Sequence, residues 1–88
     1  MKKNTVTPER VKKLVNSAEY HVSTAFGKCT IVAAKLENGF VIVESSACVD
    51  PENYDLAMGV RNCYEKIESK IWELEGYALH QRLFEEGK

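Results

Sequence analysis

The stretch that decides the fold is DPENYDLAMGVRNCYEKIESKIWELEGYALHQRLF, residues 50–84. It opens like a helix, because Asp50 can cap the first turn and Pro51 suits the first helical position. Beyond this start, apolar residues recur at the spacings of three and four that are typical of one packed helix face: Leu56, Val60, Cys63, Ile67, Ile71 and Leu74. The stretch therefore predicts a long C-terminal helix that begins at Pro51 and forms the frame of the molecule.

Two glycines interrupt this helical pattern. Gly59 lies between the small residues Ala57 and Cys63, and a glycine that costs about 1 kcal/mol in a helix interior indicates close packing at that point. Gly76 lies near the far end. An unbroken helix would be about 50 Å long, whereas a compact chain of this size is about 25 Å across. We therefore predict that the helix is kinked or split near Gly76 and that it also reaches a partner.

The start of the chain predicts a short helix. Thr7 can cap it, and Pro8 follows at the first helical position. One apolar stripe runs along the segment from Pro8 to Ser17 and includes Val11, Leu14, Val15 and Ala18. Residues 1–6 are expected to fray, and residues 85–88 form a polar tail.

The middle of the chain predicts an antiparallel sheet. Residues 29–36 and 40–46 are rich in β-branched side chains, and Asn38-Gly39 between them suits a two-residue type I′ turn. A turn of that length sets Ala34 opposite Val43 on the face that packs in the core.

Residues 20–24 alternate between two kinds of side chain and can add a third strand. The predicted fold class is α+β, with a single domain over residues 1–88. It consists of a short N-terminal helix, a β-hairpin or three-stranded sheet, and the long C-terminal helix.

The formal net charge is −1, which argues against a nucleic-acid partner. The charge is unevenly spread. Residues 1–35 carry seven Lys or Arg and two Glu, a local charge of +5, and residues 36–88 carry five against eleven acidic residues, a local charge of −6. A basic end of this kind can attract phosphates, although a solvated first helix that carries the lysines is the simpler interpretation.

The sequence predicts neither an enzyme nor a metal or cofactor site. The three cysteines, Cys29, Cys48 and Cys63, are widely spaced and lack the pairing that zinc sites need. Neither a nucleophile-and-base pattern nor a phosphate-binding glycine loop is present. The apolar runs are also shorter than the ~18 residues that a membrane span needs. Reduced thiols in a cytosolic protein fit this cysteine usage.

Four runs resemble a family of small phage-encoded proteins: EYH at 19–21, NGF at 38–40, ESSACVDPENYD at 44–55 and KIWELEGY at 70–77. The resemblance covers about residues 19–83. The best-described relatives it implies are the phage Thoeris anti-defence proteins, which sequester cyclic nucleotide immune signals without cleaving them. Those proteins have an antiparallel β unit followed by helices and assemble as oligomers up to hexamers. The resemblance implies the same architecture here, and a phage accessory protein in the host-cell cytoplasm.

Sequestration of a cyclic nucleotide or cyclic ADP-ribose needs an aromatic face, cations or helix N-termini, and polar groups for riboses. Phe40 and Tyr54 are the predicted stacking residues, Asn53 is a polar contact, and Arg61 and Lys70 are cations for phosphates. Each also has a simpler structural interpretation, because aromatic residues often pack in a core and surface cations are often solvated. A homo-oligomer, either a dimer or a hexamer, is the expected assembly.

A second hypothesis is an inhibitor that binds a host defence or replication protein directly, through an exposed acidic face of the long helix. A third is a nucleic-acid accessory protein that uses the basic first helix, which the net charge disfavours.

Overall fold

The chain folds into a short helix, a three-stranded antiparallel sheet and a long helix, in a computed structural model that describes residues 4–87. In chain order the elements are α1 (Pro8–Ser17), β1 (Glu19–Ala25), β2 (Cys29–Lys35), β3 (Val41–Ala47), a 3-10 turn (Pro51–Asn53) and α2 (Leu56–Glu86). The predicted α+β fold class is confirmed. The predictions for residues 1–3 and 88 lie outside the described residues. Within residues 4–87, neither helix combines the length and the hydropathy that a membrane-spanning segment requires.

The first helix, α1, begins and ends where the sequence predicts. The Thr7 hydroxyl caps it by accepting a hydrogen bond from the Arg10 backbone N–H at 3.2 Å, which satisfies a first-turn donor that has no partner within the helix. Val11 and Leu14 are buried on its inner side. Val6, just ahead of the helix, also packs against the core.

The sheet has the strand order β1-β2-β3, with β2 in the centre. The third strand that residues 20–24 predict is therefore confirmed as β1. Alternate residues of β2 point under the helices, and Thr30, Val32 and Ala34 are fully buried there. The β1–β2 turn holds both Phe26 and Gly27 at positive φ, 58° and 67°.

The β2–β3 turn differs from the predicted one. The Leu36 N–H donates to the Phe40 carbonyl at 2.8 Å, so three residues form the loop, with Gly39 at a φ of 95°. The Asn38 side chain accepts from the Phe40 N–H at 3.0 Å and holds this longer turn. Such a loop ends in a left-handed residue, which Gly39 supplies without strain.

The predicted strand register is therefore wrong by one residue. Ala34 pairs with Ile42, not with Val43. Because side chains alternate along a strand, one residue of slip exchanges the two faces. Ile42 is buried, while Val41 and Val43 are 52% and 59% exposed.

The predicted start of the long helix at Pro51 is also wrong. Asp50 and Pro51 begin a 3-10 turn of three residues. Tyr54 then has extended backbone, and Asp55 caps α2 by accepting from the Met58 N–H at 3.3 Å. The extended residue directs the Tyr54 side chain to the sheet, and this tertiary contact outweighs the local helix signal.

The long helix, α2, is continuous through Gly76, so the predicted split is absent. One glycine costs only about 1 kcal/mol, which strong helix formers and packing on both sides of it can offset. The Arg10 side chain of α1 donates to Glu75 at 3.1 Å directly beside this position. The 31 residues of α2 span about 46 Å at 1.5 Å per residue. The molecule accordingly measures 56 × 21 × 19 Å.

The core lies where both helices cover one face of the sheet. Its buried side chains are Val11, Leu14, Val32, Ala34, Leu36, Ile42, Cys63, Ile67 and Ile71. Helix α2 crosses β2 at Gly59, where an added Cβ would overlap the Thr30 hydroxyl and lie 2.8 Å from its Cβ. The packing reason predicted for Gly59 is therefore confirmed.

Candidate functional site

A cleft opens where β3 ends, between the 3-10 turn and the first turns of α2. Its volume is about 200 Å³. The lining residues are mostly small or polar: Ser46, Ala47, Cys48, Asn53, Tyr54, Asp55, Met58, Gly59 and Asn62. The cleft therefore lies at the junction between the sheet and α2, within the ESSACVDPENYD run and the residues that follow it.

The 3-10 turn places Asn53 at the rim of this cleft. One Asp50 carboxylate oxygen accepts from the Glu52 N–H at 3.0 Å, and the Asp50 carbonyl accepts from the Asn53 N–H at 2.9 Å. Pro51 fixes the first φ of the turn. The exposed Asn53 side chain is thus held on a short, hydrogen-bonded turn.

Tyr54 ties the turn to the sheet. Its hydroxyl lies 2.7 Å from the Thr30 hydroxyl and 3.0 Å from the Thr24 hydroxyl. Thr30 is completely buried, so Tyr54 supplies the hydrogen bond that a buried hydroxyl needs. Sequence reasoning missed Thr30, because nothing in a β-branched strand distinguishes a threonine with a buried partner from one at the surface.

Polar groups on the cleft wall are close enough to bind one another. The Asn62 amide donates to the Ser46 hydroxyl at 3.3 Å, and the Cys48 thiol donates to the Asp50 carbonyl at 3.2 Å. Amides and hydroxyls of this kind can hydrogen-bond ribose hydroxyls and base edges. Asn62, which sequence reasoning missed, faces the same cleft from α2.

The charge around the cleft is acidic. Asp55 lines it, and Asp50 and Glu52 lie on the adjoining turn. Among the described lining residues, none is Lys or Arg. Asp55 already occupies a first-turn N–H of α2, and nearby carboxylates repel an anion. A phosphate bound here would need cations from outside the cleft.

The structure brings together two of the five predicted site residues, Asn53 and Tyr54. Phe40 lies at the opposite end of β3, and seven strand residues separate it from the cleft by about 20 Å. Lys70 pairs with Glu73 at 3.1 Å and faces a shallow groove beside β3. Arg61 is exposed on α2, outside the cleft lining.

A larger groove of about 730 Å³ runs between the N-terminal segment and the C-terminal half of α2. The lining residues are Thr5, Val6, Thr7, Glu9, Arg10, Glu75, Ala78, Leu79 and Arg82. The charges of its two arginines and two glutamates cancel, and an Arg10–Glu75 ion pair bridges the groove. Its walls come from segments far apart in the chain, so no local pattern indicates it.

Within residues 4–87, two titratable side chains have clearly shifted pKa values, and both lie away from the cleft rim. Burial raises the pKa of the Cys63 thiol above its ordinary value. Burial also raises the pKa of Tyr20, and the neighbouring Tyr64 adds to the shift. Each shift favours the neutral form and suits a core residue. In residues 4–87, no group of three or more His, Cys, Asp or Glu could hold a metal ion.

A family model described as the phage protein (N4 Gp49/phage Sf6 gene 66) family matches residues 6–83. The match takes in α1, the whole sheet, α2 as far as Leu83 and every residue that lines the cleft. No curated protein and no solved structure matches the chain.

Proposed function

We propose that this chain, which belongs to the phage protein (N4 Gp49/phage Sf6 gene 66) family, sequesters a cyclic nucleotide signal of the host without cleaving it. It would act as a phage accessory protein against host defence, in the host-cell cytoplasm. The supporting observation is the cleft at the junction of β3 and α2. There Asn53 and Tyr54 meet Ser46 and Asn62, a polar set that suits riboses and base edges.

The cleft of a single chain is small and lacks a cation among its described lining residues, so one chain does not offer a complete nucleotide site. Ligand pockets usually measure about 300–1,000 Å³, and the cleft of one chain measures about 200 Å³. None of the described residues that line it is a cation for phosphate. The proposed site is therefore completed by a second copy in a dimer or hexamer. In that assembly Phe40, Arg61 and Lys70, which lie apart from the cleft in one chain, remain the proposed stacking and phosphate contacts.

Calorimetric titration with a panel of cyclic dinucleotides, cyclic trinucleotides and cyclic ADP-ribose isomers tests the proposal. We expect one of them to bind reversibly and to be recovered intact after the protein is denatured. Asn53→Ala should weaken binding at least tenfold, because an amide contact at the rim is lost. Asn16→Ala, an exposed asparagine on α1, is the matched control and should bind like the native chain. If no member of the panel binds, the proposal is wrong. A cleaved product would show turnover and would contradict sequestration without cleavage.

A second function is favoured by one surface of α2. Glu65, Glu68 and Trp72 are exposed at spacings of three and four, so they share one helix face. An acidic face with a tryptophan at one end fits a basic surface on a host defence or replication protein. This function predicts that a host protein copurifies with the native chain, that Trp72→Ala abolishes the copurification, and that no nucleotide is found.

A further inference from the structure

Among the residues that the structure describes, none pairs with the outer backbone groups of strand β1 at the edge of the sheet. The Leu36 N–H bonds the Phe40 carbonyl, and the Cys48 N–H bonds the Lys28 carbonyl, so the even-numbered residues of β2 face β3. Backbone groups alternate in an antiparallel ladder, so the odd-numbered residues of β2 face β1. In β1 the odd-numbered residues therefore bond β2. The N–H and C=O groups of Tyr20, Val22 and Thr24 point away from the sheet.

The opposite edge of the sheet is protected, which makes the open edge of β1 notable. On β3 the Lys66 ammonium donates to the outward Ser45 carbonyl at 2.6 Å, and α2 runs alongside that strand. Lysines are a common means of preventing edge pairing. Strand β1 has seven residues and contains neither Lys, Arg nor Pro. Val22, on its helix side, is 40% exposed.

We propose that β1 pairs antiparallel with β1 of a second copy, about a two-fold axis at Val22. In that register Val22 meets Val22 of the second copy, and Tyr20 meets Thr24, so the open backbone groups of both strands face each other. Glu19 meets Ala25 and His21 meets Ser23, so no like charges are opposed. Several antiparallel registers let the outward N–H and C=O groups of the two strands face each other. In this register all seven residues of β1 are paired. Two three-stranded sheets become one sheet of six strands, with the helices of both copies on the same side.

The same register covers side chains that a single copy leaves in water. Tyr64 packs against Tyr20 with ring centroids 4.9 Å apart and an angle of 50° between the rings, and it is 41% exposed beside β1. Phe26 is 91% exposed and has a φ of 58°, a conformation that bulky residues rarely adopt. One step beyond the paired strands, the register brings Phe26 alongside Ala18 of the second copy. Phe26, which has a strained backbone and an exposed side chain, thus gains a small neighbouring residue. The cleft lies at the β3 end of the sheet, opposite this interface, so a copy that completes the cleft would use a separate contact.

Exchanging one valine on each edge strand tests the proposal. The native chain should have twice the chain mass of 10.0 kDa in sedimentation equilibrium. Val22→Lys should reduce the mass to that of one chain, because two lysines would meet at the axis. Val43→Lys is the matched control on the protected edge, where the native valine is also exposed, and it should remain a dimer. A monomeric native chain, or dissociation by Val43→Lys alone, overturns the proposal.

Amide hydrogen exchange on the native chain gives a second test that needs no variant. The Tyr20, Val22 and Thr24 amides should be protected in the dimer and should lose protection on dilution. Exchange of these three amides at the rate of open amides, in a sample that is dimeric by mass, would place the interface elsewhere. Val22→Lys should retain the native circular dichroism spectrum, which separates dissociation from unfolding.

Discussion

At the scale of single residues, Gly59 sets the distance between α2 and β2. An added methyl group would overlap the side chain of the buried Thr30. We expect Gly59→Ala to lower the free energy of unfolding by about 1–3 kcal/mol, the usual effect of overpacking, despite a helix-propensity gain of about 1 kcal/mol. Urea denaturation measures the difference.

Gly76→Ala is the control in the same helix. Nothing lies within 4 Å of the position that its Cβ would take, so only the propensity gain remains. We expect it to raise the free energy of unfolding by up to about 1 kcal/mol. Equal midpoints for the two variants would mean that Gly59 is not tightly packed against the strand.

Tyr54 offers a test of its structural role. Tyr54→Phe keeps the ring but removes the hydroxyl that bonds Thr30 and Thr24. The buried Thr30 hydroxyl then lacks this partner, which costs about 1–3 kcal/mol. Thermal unfolding should show that loss. Tyr77→Phe, on an exposed tyrosine of α2, should be neutral. A Tyr54→Phe chain of native stability would show that this hydroxyl bond is dispensable.

At the scale of elements, Lys66 protects the edge of β3. Lys66→Ala removes the donor to the Ser45 carbonyl and leaves an open edge beside exposed valines. We expect species larger than the native assembly to appear in light scattering, because an unprotected edge templates pairing. Lys70→Ala, one turn further along, removes an ion pair within α2 and should leave the scattering unchanged. Identical scattering from the two variants would contradict a protective role for Lys66.

The elements that sequence predicted best are those whose signals are local. Thr7-Pro8 starts α1 as predicted, because the cap and the first turn need only neighbouring residues. Asp50-Pro51 carries the same signal but starts only a 3-10 turn, because Tyr54 reaches the distant Thr30. The hydrogen bonds within each segment could be predicted, whereas the contact between segments could not.

The strand register shows the same contrast between what a local sequence signal predicts and what a side-chain contact decides. Asn38-Gly39 correctly indicated a hairpin, but its loop length depends on the Asn38 side chain, which bonds the Phe40 N–H. One added loop residue was enough to exchange the faces of β3. Of the predicted site, Asn53 and Tyr54 lie together because they are adjacent in the chain. Phe40 and Lys70 depend on how β3 and α2 pack, so their separation could not be read from spacing.

At the scale of the whole molecule, the chain is too elongated to bury itself fully. It extends 56 Å along one axis and about 20 Å across the other two, although a compact domain of this size would be about 25 Å across. The predicted mismatch between the length of the helix and the width of a compact domain is therefore present. The helix does not split at Gly76 to remove it. Helix α2 stays intact, and its C-terminal half keeps exposed apolar surface such as Tyr77. A domain this small has marginal stability alone, so association and folding should be linked.

That linkage gives a prediction for the whole molecule. If the folded form is the dimer paired through β1, unfolding separates two chains, and mass action stabilises the folded state as concentration rises. A hundredfold increase in concentration should raise the thermal midpoint by roughly 5–10 °C for a domain of this size. Differential scanning calorimetry measures the shift. Val22→Lys should have a lower midpoint that does not vary with concentration, whereas Val43→Lys should follow the native chain. A native midpoint independent of concentration would mean that the chain folds as a monomer. The open edge of β1 would then not pair with β1 of a second copy.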